Sequence, residues 1–330
     1  MTARAARTIL YLAIAAVAIA APLVVPALRT QLSFLWVMIV FALSWDILGG
    51  QMGYNSFGNI LFFGVGMYTC AIIQQNSGLS YFPALFIGMF AGGLTAAALA
   101  AVLGWGILGL RGHYFAIGTL GLGIAAAEYA AGWDYVGAGS GMVTPLYPGA
   151  VGVRETFFYY VSCAVGVFTF VALRALYQGR FRLAINAIRD DEDKAEAMGI
   201  HTTLYKTVAW CIAAFVLGLI GPVAGNIIGF IDPRDVAFAS ATFGVWMLLM
   251  AILGGKGTLW GPVIGAAVFH LIQELFWTYL LGWQRVALGL MVVVIVIFFP
   301  MGIVGWARER WPERFGHRVE DAARTSGGEP

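Results

Sequence analysis

Apolar runs of about 18 to 25 residues recur from one end of this 330-residue chain to the other, each long enough to cross a hydrocarbon core of about 30 Å as a helix. Backbone in lipid must satisfy its own hydrogen bonds, so such a chain forms either helices or a closed barrel. The runs are continuously apolar and do not alternate with period two, which excludes the barrel. The fold class is therefore all-α, a polytopic inner-membrane helical bundle of about ten transmembrane helices with segments broken by Gly and Pro. Spans are expected at 8–28, 31–48, 55–75, 82–108, 113–131, 156–176, 206–229, 239–254, 258–282 and 286–305. Composition agrees: 60% of residues are hydrophobic and 11% charged, against about 45–50% and 25% in soluble domains.

Several function classes fall away on residue content. Cys70, Cys163 and Cys211 sit inside apolar runs without paired spacing, which argues for small buried hydrophobes over a disulfide framework or a thiolate metal site. A net charge of +2, with no basic tract interleaved with aromatics, gives no footprint for nucleic acid. Lys256 follows two glycines, but no Ser or Thr follows it and no glycine stands five positions before Gly255, so there is no phosphate-binding loop. The histidines form no metal-ligand spacing and no nucleophile elbow occurs. An enzyme with its own cofactor is not supported, and no soluble stretch is long enough to fold as a nucleotide-binding domain.

Charge sets the orientation. With the N-terminus inside, 15 of the 19 basic residues fall in cytoplasmic segments, leaving Arg29, Arg154, Arg234 and Arg285 outside. Both termini and the charged loop 180–206 are then cytoplasmic. Arg4 and Arg7 before an apolar run resemble a secretory signal, but the run continues through Leu28, so a retained first helix is expected. The chain divides into a transmembrane domain, 1–307, and a polar tail, 308–330, expected to be disordered.

Glycine and proline interrupt the apolar runs at 49–59, 137–141, Gly221-Pro222 and 254–262. Such breaks either line a watery pathway or allow close helix packing and tight turns. Packing is the expectation for Gly221-Pro222. The first cluster carries Gln51, Asn55, Ser56 and Asn59 beside Gly58, hydrogen-bonding groups a packing motif does not need; with Gly139 and Ser140 these are candidate pathway residues. Ionisable groups within spans are Asp46, Glu128, His270 and Glu274, with His113 at an edge. Asp46 and Glu128 lie near span ends and are expected to snorkel to water. His270 and Glu274, at i and i+4, share a helix face; a structural pair is expected, and a proton relay is the alternative.

The segment 180–206 holds ten charged residues. Asp190 to Asp193 place acceptors and negative charge at a helix start, Ala195, Ala197 and Met198 favour helix, and Gly199 suits a left-handed C-cap with Ile200 as its apolar partner. A helix from about Asp191 to Met198 is too short to stand alone in water. Its acidic start opposes anionic lipid, so a protein partner is expected.

At this loop the chain resembles the LivM-type permease subunits of branched-chain amino acid ABC importers. The resemblance rests on AINAIRDDEDKAEAMGIHTTLYK (184–206), GYNSFGNILFFGVGMY (53–68), RGHYFAIGTL (111–120) and LGGKGTLWGPVIGAA (253–267), in that family's order and spread over most of the chain. It implies a division of labour: a second, LivH-like permease, two ABC ATPases that bind the ATP, and a periplasmic solute-binding protein. The short helix would couple the ATPases to the spans, with Arg189 and Asp190 as polar contacts, Glu196 and Gly199 matching the family's loop motif, and Ala197, Met198 and Ile200 filling an ATPase groove. Departures from the family pattern, with Asn59 in place of a His, Ile124 where a Glu is common and Ala241-Thr242-Phe243 where an acid is common, leave urea, short amides or small carboxylates open beside branched-chain amino acids. A self-sufficient secondary transporter or channel is the competing class.

Overall fold

Continuous apolar sequence yields long helices wherever Gly and Pro are absent or tolerated, and in the computed structural model, which describes residues 16–280, 282–298 and 302–310, these dominate. They are α1 (Arg29–Leu48), α2 (Ile60–Asn76), α3 (Tyr81–Ile107), α4 (His113–Ala131), α5 (Val151–Leu176), α6 (Arg180–Asp190), α7 (Glu192–Ala197), α8 (Thr202–Ile228), α9 (Val245–Gly254), α10 (Trp260–Tyr279), α11 (Gln284–Phe298) and α12 (Gly302–Arg310). Among the described residues six helical segments are long and apolar enough to cross a membrane: 26–48, 81–107, 113–131, 151–176, 202–228 and 233–254. Helices α2, α10 and α11 fall where further spans were expected. The 286–305 expectation falls on α11, described to Phe298, and on α12, described from Gly302.

Helices α1 and α8 form the centre: α8 packs on α1, α2 and α3, while α1 also meets α5, α9 and α10. Glycine makes the α2–α3–α8 contact possible. Gly66, Gly92 and Gly218 face one another so closely that a Cβ on Gly66 would overlap the Gly218 backbone, which is the small-residue packing of membrane helices. Gly221 likewise abuts the Phe63 carbonyl, and α8 runs through Pro222 unbroken. Asn226 Nδ2 donates to the Pro222 carbonyl at 2.9 Å. Gly221-Pro222 is thus a packing site.

The breaks lie elsewhere. The segment 49–59 is irregular, and two short π-helical turns precede α9: Pro233–Ala237, ahead of the expected 239–254 span, and Ser240–Gly244, at its start. Residues 137–141 form tight turns, with Gly137 and Gly141 at positive φ, that feed the two-residue strand β1 (Met142–Val143), paired antiparallel with β2 (Phe230–Ile231). The N-terminal expectation is described from residue 16: helix spans 16–24, and the Tyr159 and Tyr160 hydroxyls donate to the carbonyls of Ala18 and Ile19. Arg4, Arg7 and residues 311–330 of the expected tail lie outside the described residues.

Candidate functional site

The charged loop folds as two helices. In α6 the apolar Ala184, Ile185 and Ile188 turn inward while Arg180, Arg182 and Leu183 face out, the stripe that 3.6-residue periodicity demands. Asp191, extended at φ −164°, then caps α7, its Oδ1 accepting from the Lys194 N–H at 3.1 Å. The far end closes with Gly199 at φ +86°: the Gly199 N–H reaches the Glu196 carbonyl and the Ile200 N–H the Ala195 carbonyl. This is a Schellman motif, and the left-handed φ is why glycine stands there. Ala195 is buried and Ile200 packs against the core, whereas Glu196, Ala197 and Met198 are exposed, Met198 at 84%. Helix α7 therefore presents a small apolar tip with an acid beside it, and Ile200 serves as the inward partner of the cap.

What holds a six-residue helix in place is a buried ion cluster. Lys206, one turn into α8 and 3% exposed, donates from Nζ to Glu192 Oε1 at 2.7 Å, the Leu108 carbonyl at 2.8 Å and the Tyr54 hydroxyl at 3.2 Å. The Tyr54 hydroxyl also donates to Glu192 Oε2. Arg111 approaches the same oxygen at 3.4 Å and binds Asp193 at 2.9 Å. Burial would raise the Glu192 carboxyl, but the hydrogen bonds from Lys206 and Tyr54 and the nearby Lys206 and Arg111 charges hold it below the ordinary carboxylate range. All three Lys206 protons have acceptors, so the buried ammonium is fully satisfied. The cluster joins α7 to α8, to the 49–59 loop and to the α3–α4 connection. In the sequence Tyr54, Arg111, Glu192 and Lys206 stand only as members of longer motifs, with nothing to join them; the one local signal of the cluster is a lysine one turn inside an apolar helix.

The glycine segments dock on this unit. Gly53, at φ +81°, lies against the Arg189 side chain, whose guanidinium bonds Asp190 at 3.0 Å. Gly257 sits against Gly50, and its N–H donates to Asp46 Oδ1 at 2.7 Å, while Gln51 Nε2 approaches Asp46 Oδ2 at 3.5 Å. Asp46 is therefore a buried clamp between two loops, 2% exposed, and does not snorkel as its position near a helix end suggested. Deeper in, the 49–59 segment meets α4: the Phe57 N–H donates to Thr119 Oγ1 at 3.1 Å and Gly58 abuts the Thr119 carbonyl. Gly244 of the second π-turn rests on the Phe57 carbonyl and Ser240 on Gly123. Two irregular stretches of backbone thus converge on one helix, an arrangement tolerated at membrane depth only inside protein or beside a cavity.

The remaining candidates are dispersed. Gln51, Ser56, Gly58 and Asn59 are buried in that loop and Asn55 is exposed. The Ser56 carbonyl accepts from Trp45 Nε1 at 2.8 Å and Asn59 Oδ1 from Trp210 Nε1 at 3.2 Å. Gly139 and Ser140 belong to the turn beyond the end of α4, about 18 Å along that helix from Thr119 at 1.5 Å per residue. Glu128 forms a two-pronged bridge with Arg234 at 2.9 and 2.7 Å, so it is an exposed ion pair, not a lone snorkelling acid. His270 does not pair with Glu274: its Nε2 contacts the Gln31 carbonyl at 2.9 Å. The helical face is shared as expected, but α1 supplies the nearer partner. His113 is exposed at the start of α4. Among the described residues no cluster of His, Cys, Asp or Glu could hold a metal ion.

Residues 28–299 match the family described as branched-chain amino acid transport system, permease component. The chain belongs to that family. This permease is 24% identical over 314 residues to LivM of Salmonella typhimurium, a high-affinity branched-chain amino acid transport system permease protein, covering 87% of this chain and 72% of the relative. LivM of Escherichia coli is 25% identical over 299 residues, covering 82% and 68%. LivH of Salmonella typhimurium, a permease protein of the same kind of system, is 22% identical over 284 residues, covering 81% and 90%. No solved structure matches the chain. The permease is a multi-pass membrane protein, and the buried ion cluster and glycine loops lie within the matched region.

Proposed function

We propose that this permease carries branched-chain amino acids through the inner membrane as one subunit of an ATP-driven importer. A LivH-like permease forms the other half of the passage, a periplasmic binding protein delivers solute, and two ABC ATPases bind the ATP on the cytoplasmic side, where both termini lie. The chain itself hydrolyses nothing and needs no cofactor. The observation that carries this reading is the construction of α7: exposed at Glu196, Ala197 and Met198, yet locked through Glu192 to Lys206 at the root of α8.

A push on α7 is transmitted because its anchor is an ion pair shared with three other segments, not a flexible tether. Movement of Glu192 carries Lys206 and α8 with it, and through Arg189 and Asp46 it carries the two glycine loops. Those loops reach α4 and the π-turns, where irregular backbone can rearrange between two access states. Gln51, Asn55, Ser56, Gly58 and Asn59 lie on this path, with Gly139 and Ser140 at its periplasmic mouth.

The test is copurification from the native membrane followed by reconstitution. Recovery of two ATPases and a second permease, with leucine uptake that needs both ATP and a binding protein, is the expected result. Leucine uptake by the chain alone, driven by an ion gradient, would overturn the proposal in favour of a secondary transporter.

A further inference from the structure

At the junction of α5 and α6, a cavity of about 160 Å³ is lined by Gln51, Arg174, Tyr177, Gln178, Arg182 and Leu259. Two guanidiniums and two side-chain amides surround it. The Tyr177 hydroxyl, on a residue only 8% exposed, is buried without a hydrogen-bond partner. A buried hydroxyl without a partner is unfavourable, which gives this one a reason to take a ligand.

Position identifies the ligand. Val167, Val171, Arg174 and Gln178 recur at i, i+4, i+7 and i+11 and so share one face of α5. Val167, Phe168 and Val171 are exposed on this spanning helix. An apolar stripe thus leads to a cationic cavity, with Tyr177 in its lining, at the end of a membrane span. We propose that the cavity binds the phosphate of an anionic phospholipid whose acyl chain lies along Val167 and Val171. Arg174 and Arg182 hold the phosphate, and Tyr177 donates to it. Basic pockets between helices at this depth bind such headgroups. Because Arg174 belongs to α5 and Arg182 to α6, the lipid bridges the Gly179 joint and steadies the start of the charged double helix. The proposal rests on the membrane-spanning fold and not on the identity of the transported solute.

The experiment is native mass spectrometry of the purified full-length chain in detergent with phosphatidylglycerol, phosphatidylcholine or inorganic phosphate added. Two basic residues near an anionic headgroup at about 1 kcal/mol each predict a preference of about 25-fold for phosphatidylglycerol over phosphatidylcholine. Arg174→Gln with Arg182→Gln abolishes the preference, Arg174→Lys with Arg182→Lys keeps most of it, and Tyr177→Phe weakens it. Arg180→Gln, which neutralises an exposed arginine outside the cavity, leaves it intact. Equal retention of both lipids by the wild type overturns the proposal, as does an Arg180→Gln loss matching that of the pair. Inorganic phosphate that binds as tightly as phosphatidylglycerol and displaces it overturns the lipid assignment in favour of a free-anion site.

Discussion

Lys206 Nζ stands 2.7 Å from Glu192 Oε1 with its other two protons on Tyr54 and Leu108, so the lysine at the root of α8 is the floor on which the exposed helix α7 rests. Breaking such a pair from one side leaves a buried charge uncompensated, at a cost of about 3–5 kcal/mol. Lys206→Met is expected to lower stability by about 3 kcal/mol and to free α7, read as faster amide exchange across 192–197. The double variant Lys206→Met, Glu192→Leu should recover part of that loss in thermal unfolding, since neither charge is then stranded. A double variant no more stable than Lys206→Met alone would show that the pair does not carry the anchoring.

The pH dependence follows from the direction of the Glu192 shift. Its carboxyl is held below the usual 4.5, so the anchoring it gives is fully present above that pH and is lost as pH falls through the lowered value. A nitroxide on Met198→Cys is expected to give the same ordered spectrum from pH 7 to about 5, near the unperturbed glutamate range, and to become mobile only in stronger acid. Mobility that rises near pH 6 would point to a different titrating group.

Gly199 at φ +86° occupies a region closed to proline. Gly199→Pro should unwind the cap of α7, and Glu196→Lys should reverse the charge on its exposed face, while neither disturbs the buried bundle. Both variants are expected to insert and fold normally, and on the proposed importer reading the partner ATPases would then hydrolyse ATP without solute import. Wild-type uptake in both would remove α7 from the coupling path.

Asp46→Asn retains an oxygen to accept from Gly257 and should cost little. Asp46→Ala leaves that N–H without its acceptor inside the protein, a loss of about 1–3 kcal/mol. Comparison of their thermal unfolding in detergent checks the clamp; equal stability would mean that water replaces the carboxylate.

Gly66→Leu drives a side chain into the Gly218 backbone where α2, α3 and α8 meet. Backbones that close have no rotamer to move, so the variant is expected to accumulate poorly and elute as aggregate. Gly106→Leu on the open side of α3, where a Cβ meets nothing, should behave as wild type.

Hydropathy, charge placement and local capping chemistry are properties of neighbouring residues, and these the sequence determined by itself: a helical membrane bundle, a charged loop, a short helix closed by Gly199 and, through four ordered motifs, the permease family. What depends on contacts between distant segments did not show. Asp46 and Glu128 both read as acids near helix ends, yet one is buried against Gly257 and the other bridges Arg234 at the surface, because a partner 211 or 106 residues away leaves no local trace. His270 turned from Glu274 to the Gln31 carbonyl for the same reason. Lys206 looked like one charge among ten, and only the packing of α7, α8, the 49–59 loop and the α3–α4 connection made it the buried centre of the site. The tertiary structure decided this because desolvation, which makes an ion pair both costly and rigid, exists only once the segments have come together.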